Sequence, residues 1–337
     1  MMSCERPDTK PSGIGLVLGA GGTTGTAFHA GTLLALHHDL GWDPNSADVI
    51  VGSSAGSIVG CLIRAGFAPD DLSAWGASVA SSPSGRPSRG LLDAMESTRP
   101  GVRPTRPRLP VPSRAIVRRL LRPSDVRLHT VAMAMLPFGW IDAGAPLERI
   151  GDLMEGWPER PLWIPAVRVG DARRVVWGRD DIEVTPGRAI AASCAIPGLF
   201  SPVTIDGDRY IDGGAHSATN ADLLLDAGVH TAIVLSPMSG HPGRRYRPGD
   251  LVRAAMSRQV RAECAALSNA GVSVHLFEPD TATLTAMGVN ALSRTRTSQI
   301  VRDAFLAAGL QIVQDDSLRQ LLDRRTPVPG GTSRIPA

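Results

Sequence analysis

Two short apolar runs near the start of the chain each end in a glycine-rich turn that leads into a helical pattern. The first run, residues 14–18, opens into Gly-Ala-Gly-Gly-Thr-Thr-Gly at 19–25, and the second, residues 48–51, opens into Gly-Ser-Ser-Ala-Gly at 52–56. Apolar residues recur at helical spacing after both turns. A strand, a turn and a helix, repeated twice, predict a parallel sheet with both glycine-rich turns at the same edge.

Ser54 lies at the centre of the second turn. An abrupt passage from a buried strand into a helix strains the middle residue and lifts its side chain clear of the backbone, and Gly52 and Gly56 leave room for it. The dipole of the following helix favours negative charge near the hydroxyl. An acyl-transfer nucleophile needs these properties, although Gly-x-Ser-x-Gly also occurs as a small-residue turn without a function.

Further strand and helix patterns extend this opening along most of the chain. Two hairpins are predicted, one around Gly170-Asp171 and one around Asp206-Gly-Asp208, and a helix capped by Thr185 with Pro186 in its first turn lies between them. The predicted strands are 14–18, 48–51, 162–169, 173–177, 202–205, 209–211, 231–235 and 272–277. The pattern predicts an α/β fold with a mostly parallel central sheet and helices on both faces.

One catalytic domain is expected over residues 14–322. Residues 1–13 are polar and are predicted to form a flexible tail, and residues 323–337, rich in Pro, Gly and Arg, are predicted to be disordered. Within the domain, residues 81–122 change composition to interleaved prolines and arginines. Proline removes amide donors and fixes the backbone, so this excursion is either a lid over the site or a surface insertion.

A short amphipathic basic helix is predicted at the end of the excursion. Arg114, Arg118, Arg119 and Arg122 face away from its apolar residues. Such a helix either rests on an anionic lipid surface, giving a peripheral membrane contact, or exposes an ordinary solvated face.

Composition excludes several classes of protein. The formal net charge is only +3, so the chain shows no sign of a nucleic-acid partner. The four cysteines, Cys4, Cys61, Cys194 and Cys264, have no paired spacing and are expected to be reduced thiols. There is no signal-peptide pattern, and no apolar run reaches the roughly 18 residues of a membrane span. The expected location is the cytoplasm, at most with peripheral contact to a membrane.

Asp212 is the candidate base for Ser54. Two glycines, Gly213 and Gly214, follow it directly after a predicted strand, so the carboxylate is left at the sheet edge. A carboxylate can accept the serine proton directly in a partly dry environment, which raises its basicity. None of the eight histidines stands in a comparable motif. The alternative is a plain Asp-Gly turn.

Backbone amides supply the remaining chemistry. The glycine loop and the amide of Ala55, which follows the serine, can donate hydrogen bonds to the oxyanion of a tetrahedral intermediate, and a side chain on the loop would block that approach.

These motifs together resemble the patatin-like phospholipase family. The resemblance rests on the glycine loop with Phe-His-Ala-Gly at 28–31, on Gly-Ser-Ser-Ala-Gly, on 191–198 leading to Tyr-Ile-Asp-Gly-Gly at 210–214, and on Thr-Asn-Ala-Asp at 219–222. It implies a three-layer fold and a serine esterase that degrades lipids without a metal or cofactor. It also implies that Ser54 is the nucleophile, that Asp212 is its only side-chain partner, and that Gly21 and Gly22 form the oxyanion hole. The motif glycines are Gly19, Gly25, Gly52, Gly56, Gly213 and Gly214.

The glycine loop departs from the usual family pattern in two positions. Counted back from Gly25, Ala20 stands where the family has its first glycine, and Thr24 stands where it has a basic residue. The geometry of the oxyanion hole depends on how the chain accommodates both.

Three other functions are compatible with parts of the pattern. The same acyl-enzyme could pass its acyl group to an alcohol, which would make the protein an acyltransferase. The glycine loop could instead cradle a nucleotide or another ligand in a non-catalytic protein, but it lacks the Lys-Ser/Thr ending of a Walker loop. An ordinary α/β-hydrolase triad is disfavoured because the serine follows only two strands.

Overall fold

One sheet organises the chain. The structure, a computed structural model, describes residues 13–77, 128–142, 144–240 and 250–323. Its strands are β1 (Gly13–Leu18), β2 (Val49–Gly52), β3 (Leu162–Arg168), β4 (Arg173–Trp177), β5 (Val203–Ile205), β6 (Asp208–Asp212), β7 (Val229–Leu235) and β8 (Ser273–Phe277). The order is β5-β6-β3-β2-β1-β7-β8, and β4 pairs with β3. Within this order, β3, β2, β1, β7 and β8 pair in parallel. Strands β4 and β6 each pair antiparallel with β3, and β5 pairs antiparallel with β6.

Helices fill most of the connections. They are α1 (Gly22–Leu40), α2 (Ala55–Arg64), α3 (Pro69–Gly76), α4 (Leu128–Ala134), α5 (Gly144–Gly151), α6 (Pro186–Ser193), α7 (Asp250–Asn269), α8 (Thr281–Met287), α9 (Thr297–Gln314) and α10 (Asp316–Asp323). Short 3₁₀ helices cover Pro44–Ser46, Gly213–Ala215 and Ala221–Asp226. Gly41 ends α1 in the left-handed conformation, with φ 61°, and the side chain of Thr185 caps α6 as predicted.

The sheet is the middle of three layers. Along β1 the side chains alternate between two cores: Leu16 and Leu18 belong to the core that includes α1, α2 and α9, whereas Val17 belongs to the core that includes α7. Because successive residues of a strand point to opposite faces, both faces of β1 must be covered by helices. The predicted α/β class, with a mostly parallel sheet between helical layers, is confirmed.

The predicted strands are all present, and two boundaries of the terminal tails are wrong by one residue. Gly13 is not part of the tail, because it pairs with Val229 as the first residue of β1. Asp323 completes the second turn of α10 and does not begin the tail. Residues 1–12, which include Cys4, the excursion at 81–122 with the predicted basic helix, and residues 324–337 lie outside the described residues. The remaining three cysteines are free thiols.

The contact between α1 and α9 leaves no room for a side chain at Gly31. A methyl group on Gly31 would overlap the carbonyl oxygen of Val301 and stand 3.0 Å from Cβ of Ala304. This glycine therefore sets how closely the two helices approach.

Substitution of Gly31 by alanine should destabilise the protein. Alanine normally favours a helix over glycine by about 1 kcal/mol, but here the overlap should outweigh that gain, and overpacking typically costs about 1–3 kcal/mol. We expect a lower free energy of unfolding in urea. Gly170→Ala is the matched control, since nothing lies within 4 Å of a methyl group there. A Gly31→Ala variant as stable as the wild type would contradict this packing.

Candidate active site

The turn after β2 holds Ser54 in a strained conformation. Its φ and ψ are 51° and −117°, and it is the residue that precedes α2. A positive φ is rare for residues with a side chain and persists where the surroundings enforce it. A methyl group on Gly56 would overlap the carbonyl oxygen of Leu18, and one on Gly52 would stand 2.5 Å from the carbonyl oxygen of Gly56. The two motif glycines are thus required by close backbone contact.

Two serine side chains hold this turn from either side. The backbone N–H of Ser54 donates to Oγ of Ser193 at 3.0 Å, and Ser193 in turn donates to the carbonyl of Pro165 at 2.7 Å. On the other side, Oγ of Ser57 donates to the carbonyl oxygen of Ser54 at 2.6 Å. No role was predicted for Ser193, although it lies in the Ala-Ala-Ser-Cys-Ala segment that carried part of the resemblance.

Asp212 reaches the site from the end of β6. Its backbone N–H donates to the carbonyl of Ala195 at 2.9 Å, and its Oδ1 accepts the N–H of Gly214 at 2.6 Å. A methyl group on Gly213 would overlap the carbonyl oxygen of Pro165, so only glycine fits at this turn. The carboxyl of Asp212 also interacts with the hydroxyl of Ser54, which favours its charged form.

Burial gives this carboxyl an unusual basicity. Its pKa is raised from 3.8 to about 6, chiefly because burial disfavours the charged form, while interactions with the Ser54 hydroxyl and the Gly214 amide act in the opposite direction. Asp212 is 5% exposed and Ser54 is 4% exposed. At neutral pH the carboxylate is mostly ionised, and it is a stronger base than an exposed aspartate.

The thiol of Cys194 lies next to both side chains. Burial, followed by the charge of Asp212, raises its pKa to about 12. The group therefore stays a neutral thiol at the pH values where Asp212 ionises, and it adds no competing thiolate to the site.

The glycine loop places two helix N-termini side by side. The pairing of β1 with β2 sets Leu18 opposite Gly52, and a methyl group on Gly25 would stand 3.8 Å from Cβ of Ala55. Gly22 and Ala55 are the first residues of α1 and α2, and amides in the first turn of a helix have no partner within it. Gly21 precedes α1 directly. The amides expected to form the oxyanion hole are thus positioned at adjoining helix ends.

The two unusual residues of the loop are accommodated by packing. Ala20 donates its N–H to the carbonyl of Ala218 at 2.7 Å, and its Cβ faces Gly214, where an added methyl group would be 3.1 Å away. Thr24 is buried, and its hydroxyl donates to the carbonyl of Gly21 at 3.3 Å. The short side chain of Thr24 is thus satisfied within the loop itself.

His29 supports the loop but has no place in proton transfer from Ser54. Its Nε2 donates to the carbonyl of Gly19 at 2.8 Å, and burial lowers its pKa to about 4, so the ring is neutral. Within the ranges that the structure describes, no histidine hydrogen-bonds to Ser54 or Asp212. The same ranges contain no cluster of three or more His, Cys, Asp or Glu side chains that could hold a metal ion.

A search of the described helices for membrane spans found none with the length and apolar character needed to cross a bilayer.

Comparison with known proteins gave one family match. A family model described as patatin-like phospholipase matches residues 16–225. A search of curated protein sequences found no significant match.

VipD and ExoU are among the solved structures that are similar over most of the chain. VipD from Legionella pneumophila is 14% identical with a TM-score of 0.40, and the match covers 94% of this chain and 67% of VipD. The type III effector protein ExoU is 16% identical with a TM-score of 0.34, and the match covers 93% of this chain and 54% of ExoU. The chain thus spans little more than half the length of ExoU.

The raised pKa of Asp212 makes the stability of the protein depend on pH. Between pH values of about 4 and 6 the folded protein keeps a proton that the unfolded chain has released, so this group lowers the free energy of unfolding as the pH rises. Asparagine cannot ionise. We expect Asp212→Asn to be more stable than the wild type by about 2–3 kcal/mol at pH 8, with the gain vanishing near pH 4.

Urea denaturation at a series of pH values measures this difference. Asp226→Asn, which makes the same substitution at an exposed aspartate, is the matched control. Equal stability of Asp212→Asn and the wild type at both pH 8 and pH 4 would show that burial does not raise the pKa of Asp212.

Proposed function

Because the chain belongs to the patatin-like phospholipase family, we propose that it is a serine acyl hydrolase that cleaves carboxylic esters of lipids with a Ser54–Asp212 dyad. The observation that carries the proposal is the strained turn that presents Ser54 to a buried carboxyl whose pKa is raised to about 6. Strain at a non-glycine residue and a shifted pKa both concentrate at functional sites.

In the first step Ser54 attacks the ester carbonyl. Its Oγ forms a bond to the carbonyl carbon while its proton moves to the carboxylate of Asp212, and the carbonyl oxygen becomes an oxyanion. The amides of Gly21, Gly22 and Ala55 donate to that oxygen, and one such donor typically stabilises a transition state by about 3 kcal/mol. The intermediate then collapses, the alcohol leaves with the proton from Asp212, and the acyl group stays on Ser54.

In the second step water replaces the alcohol. Asp212, ionised again, accepts a proton from the water as its oxygen bonds to the acyl carbon. When the tetrahedral intermediate collapses, the bond from that carbon to Oγ of Ser54 breaks, Asp212 returns the proton to Oγ, and the fatty acid leaves. Transfer of the acyl group to an alcohol would use the same acyl-enzyme, and analysis of the products with a competing acceptor distinguishes the two outcomes.

The geometry of the glycine loop disfavours a nucleotide cradle. A phosphate-binding loop needs successive free amides, but Gly19 donates to the carbonyl of Leu235 at 2.9 Å and Ala20 to that of Ala218 at 2.7 Å. At the other end of the loop, Thr24 donates its N–H to the carbonyl of Ala291 at 3.0 Å and Gly25 to that of Gly21 at 2.9 Å. The amides of Gly21 and Gly22, between these, are the ones proposed to bind the oxyanion.

Substitution of either dyad residue should abolish turnover while the fold is kept. We expect Ser54→Ala and Asp212→Asn each to lower kcat/KM for p-nitrophenyl butyrate by at least about 10³-fold, because neither can complete the proton transfer. The exposed residues Ser268 and Asp226 provide the matched controls Ser268→Ala and Asp226→Asn, which should retain activity. Wild-type activity in both dyad variants would exclude the proposed mechanism.

A further inference from the structure

The loop after Asp212, residues 216–221, touches each part of the candidate site. Asn220 is completely buried within it and has a left-handed backbone with φ 53°. Its side-chain nitrogen donates to Oγ of Ser53 at 2.9 Å, to the carbonyl of Ser217 at 2.7 Å and to the carbonyl of Gly213 at 3.3 Å. Two amide protons therefore serve three acceptors, and the side chain is held in one orientation.

Two of these partners adjoin the reacting residues. Ser53 precedes Ser54 in the turn after β2, and Gly213 follows Asp212 in the turn after β6. These turns come from distant parts of the chain, and Asn220 bonds to both. The side-chain amide of Asn220 thus links the two turns that carry Ser54 and Asp212 and holds them at a fixed distance.

The loop also reaches the third part of the site. The carbonyl of Ala218 accepts the N–H of Ala20, so the start of the glycine loop is tied to the same six residues. A shift of the loop would move the expected oxyanion donors together with the dyad.

A buried carboxylate on α7 holds the loop in place. Glu263 is 4% exposed and accepts hydrogen bonds from Oγ of Ser217 at 2.7 Å, Oγ1 of Thr219 at 2.7 Å and the N–H of Ala221 at 3.0 Å. From the other side, Arg174 donates to Oδ1 of Asn220 at 3.1 Å. Buried polar networks with all members satisfied are rigid, which suits a support for catalytic groups.

We propose that Asn220 is a positioning residue, which fixes Ser54 and Asp212 at the distance that proton transfer requires, and that Glu263 holds it there. The inference rests on the function proposed above. Rates fall steeply when reacting groups are displaced by a fraction of an ångström, whereas ground-state binding of an ester depends less on that distance. Loss of the brace should therefore lower kcat more than it raises KM.

Asn220→Gly is the sharpest variant. Glycine adopts a positive φ without strain, so this change removes the amide and leaves the backbone conformation available, whereas alanine would add strain. We expect kcat for p-nitrophenyl butyrate to fall by about 10–100-fold and KM to change by less than about 3-fold. Asn269→Gly, at an exposed asparagine at the end of α7, is the matched control and should keep the wild-type kcat.

A double-mutant cycle tests whether Asn220 acts through Ser53. Ser53→Ala alone should lower kcat by about 3–10-fold, and the double variant should be no slower than Asn220→Gly, because the two changes remove the same hydrogen bond. An Asn220→Gly enzyme with wild-type kcat, or effects on kcat that multiply in the double variant, would overturn the proposal. If Asn220→Gly does not fold, the Ser53→Ala variant alone tests the proposal, and a wild-type kcat in Ser53→Ala would overturn it.

Ser54→Ala, assayed in parallel, separates this proposal from the one on which it rests. Activity retained in Ser54→Ala would refute the dyad mechanism itself. Loss of activity there, together with a wild-type kcat in Asn220→Gly, would refute only the positioning role.

Discussion

The parallel pairing of β1 with β2, in the register that sets Leu18 opposite Gly52, is the contact on which the candidate site depends. The carbonyl of Leu18 accepts the N–H of Ser53 at 3.0 Å and also stands where a side chain on Gly56 would lie. This register brings the turn that carries Ser54, the proposed nucleophile, against the glycine loop. Without it the amides at the starts of α1 and α2 would not adjoin one another, and the proposed oxyanion hole could not form between them.

The site concentrates features that lower stability. Ser54 and Asn220 both have a positive φ, and the carboxyl of Asp212 is buried with a raised pKa. Such features persist only where the surrounding packing enforces them, and a site whose activity needs strain and a desolvated base is commonly less stable than an inactive variant. In this chain the packing comes from the α1–α9 contact on one face of the sheet and from α7 on the other.

Sequence reasoning predicted the strands, the two glycine-rich turns and the pairing of Ser54 with Asp212, because those signals are local or belong to a family pattern. It did not find Ser193, Asn220 or Glu263 as supports. Ser193 bonds to a residue 139 positions away, and Asn220 to one 167 positions away, and no local pattern encodes such contacts. Glu263 has no motif around it, and only the fold brings α7 to the loop that it holds. The surroundings of Thr24 were likewise not predicted, because the position of a residue in a motif does not show whether its side chain is buried.

The most direct test of the account is the pH dependence with which a fluorophosphonate labels Ser54, located by peptide mass spectrometry. If ionised Asp212 activates the serine, the labelling rate of the wild type should rise with a midpoint near the pKa of about 6, and the rise should be absent in Asp212→Asn. A histidine base would give a similar midpoint, so the variant is essential. Labelling of another residue, or the same pH-dependent rise in Asp212→Asn as in the wild type, would contradict the Ser54–Asp212 dyad.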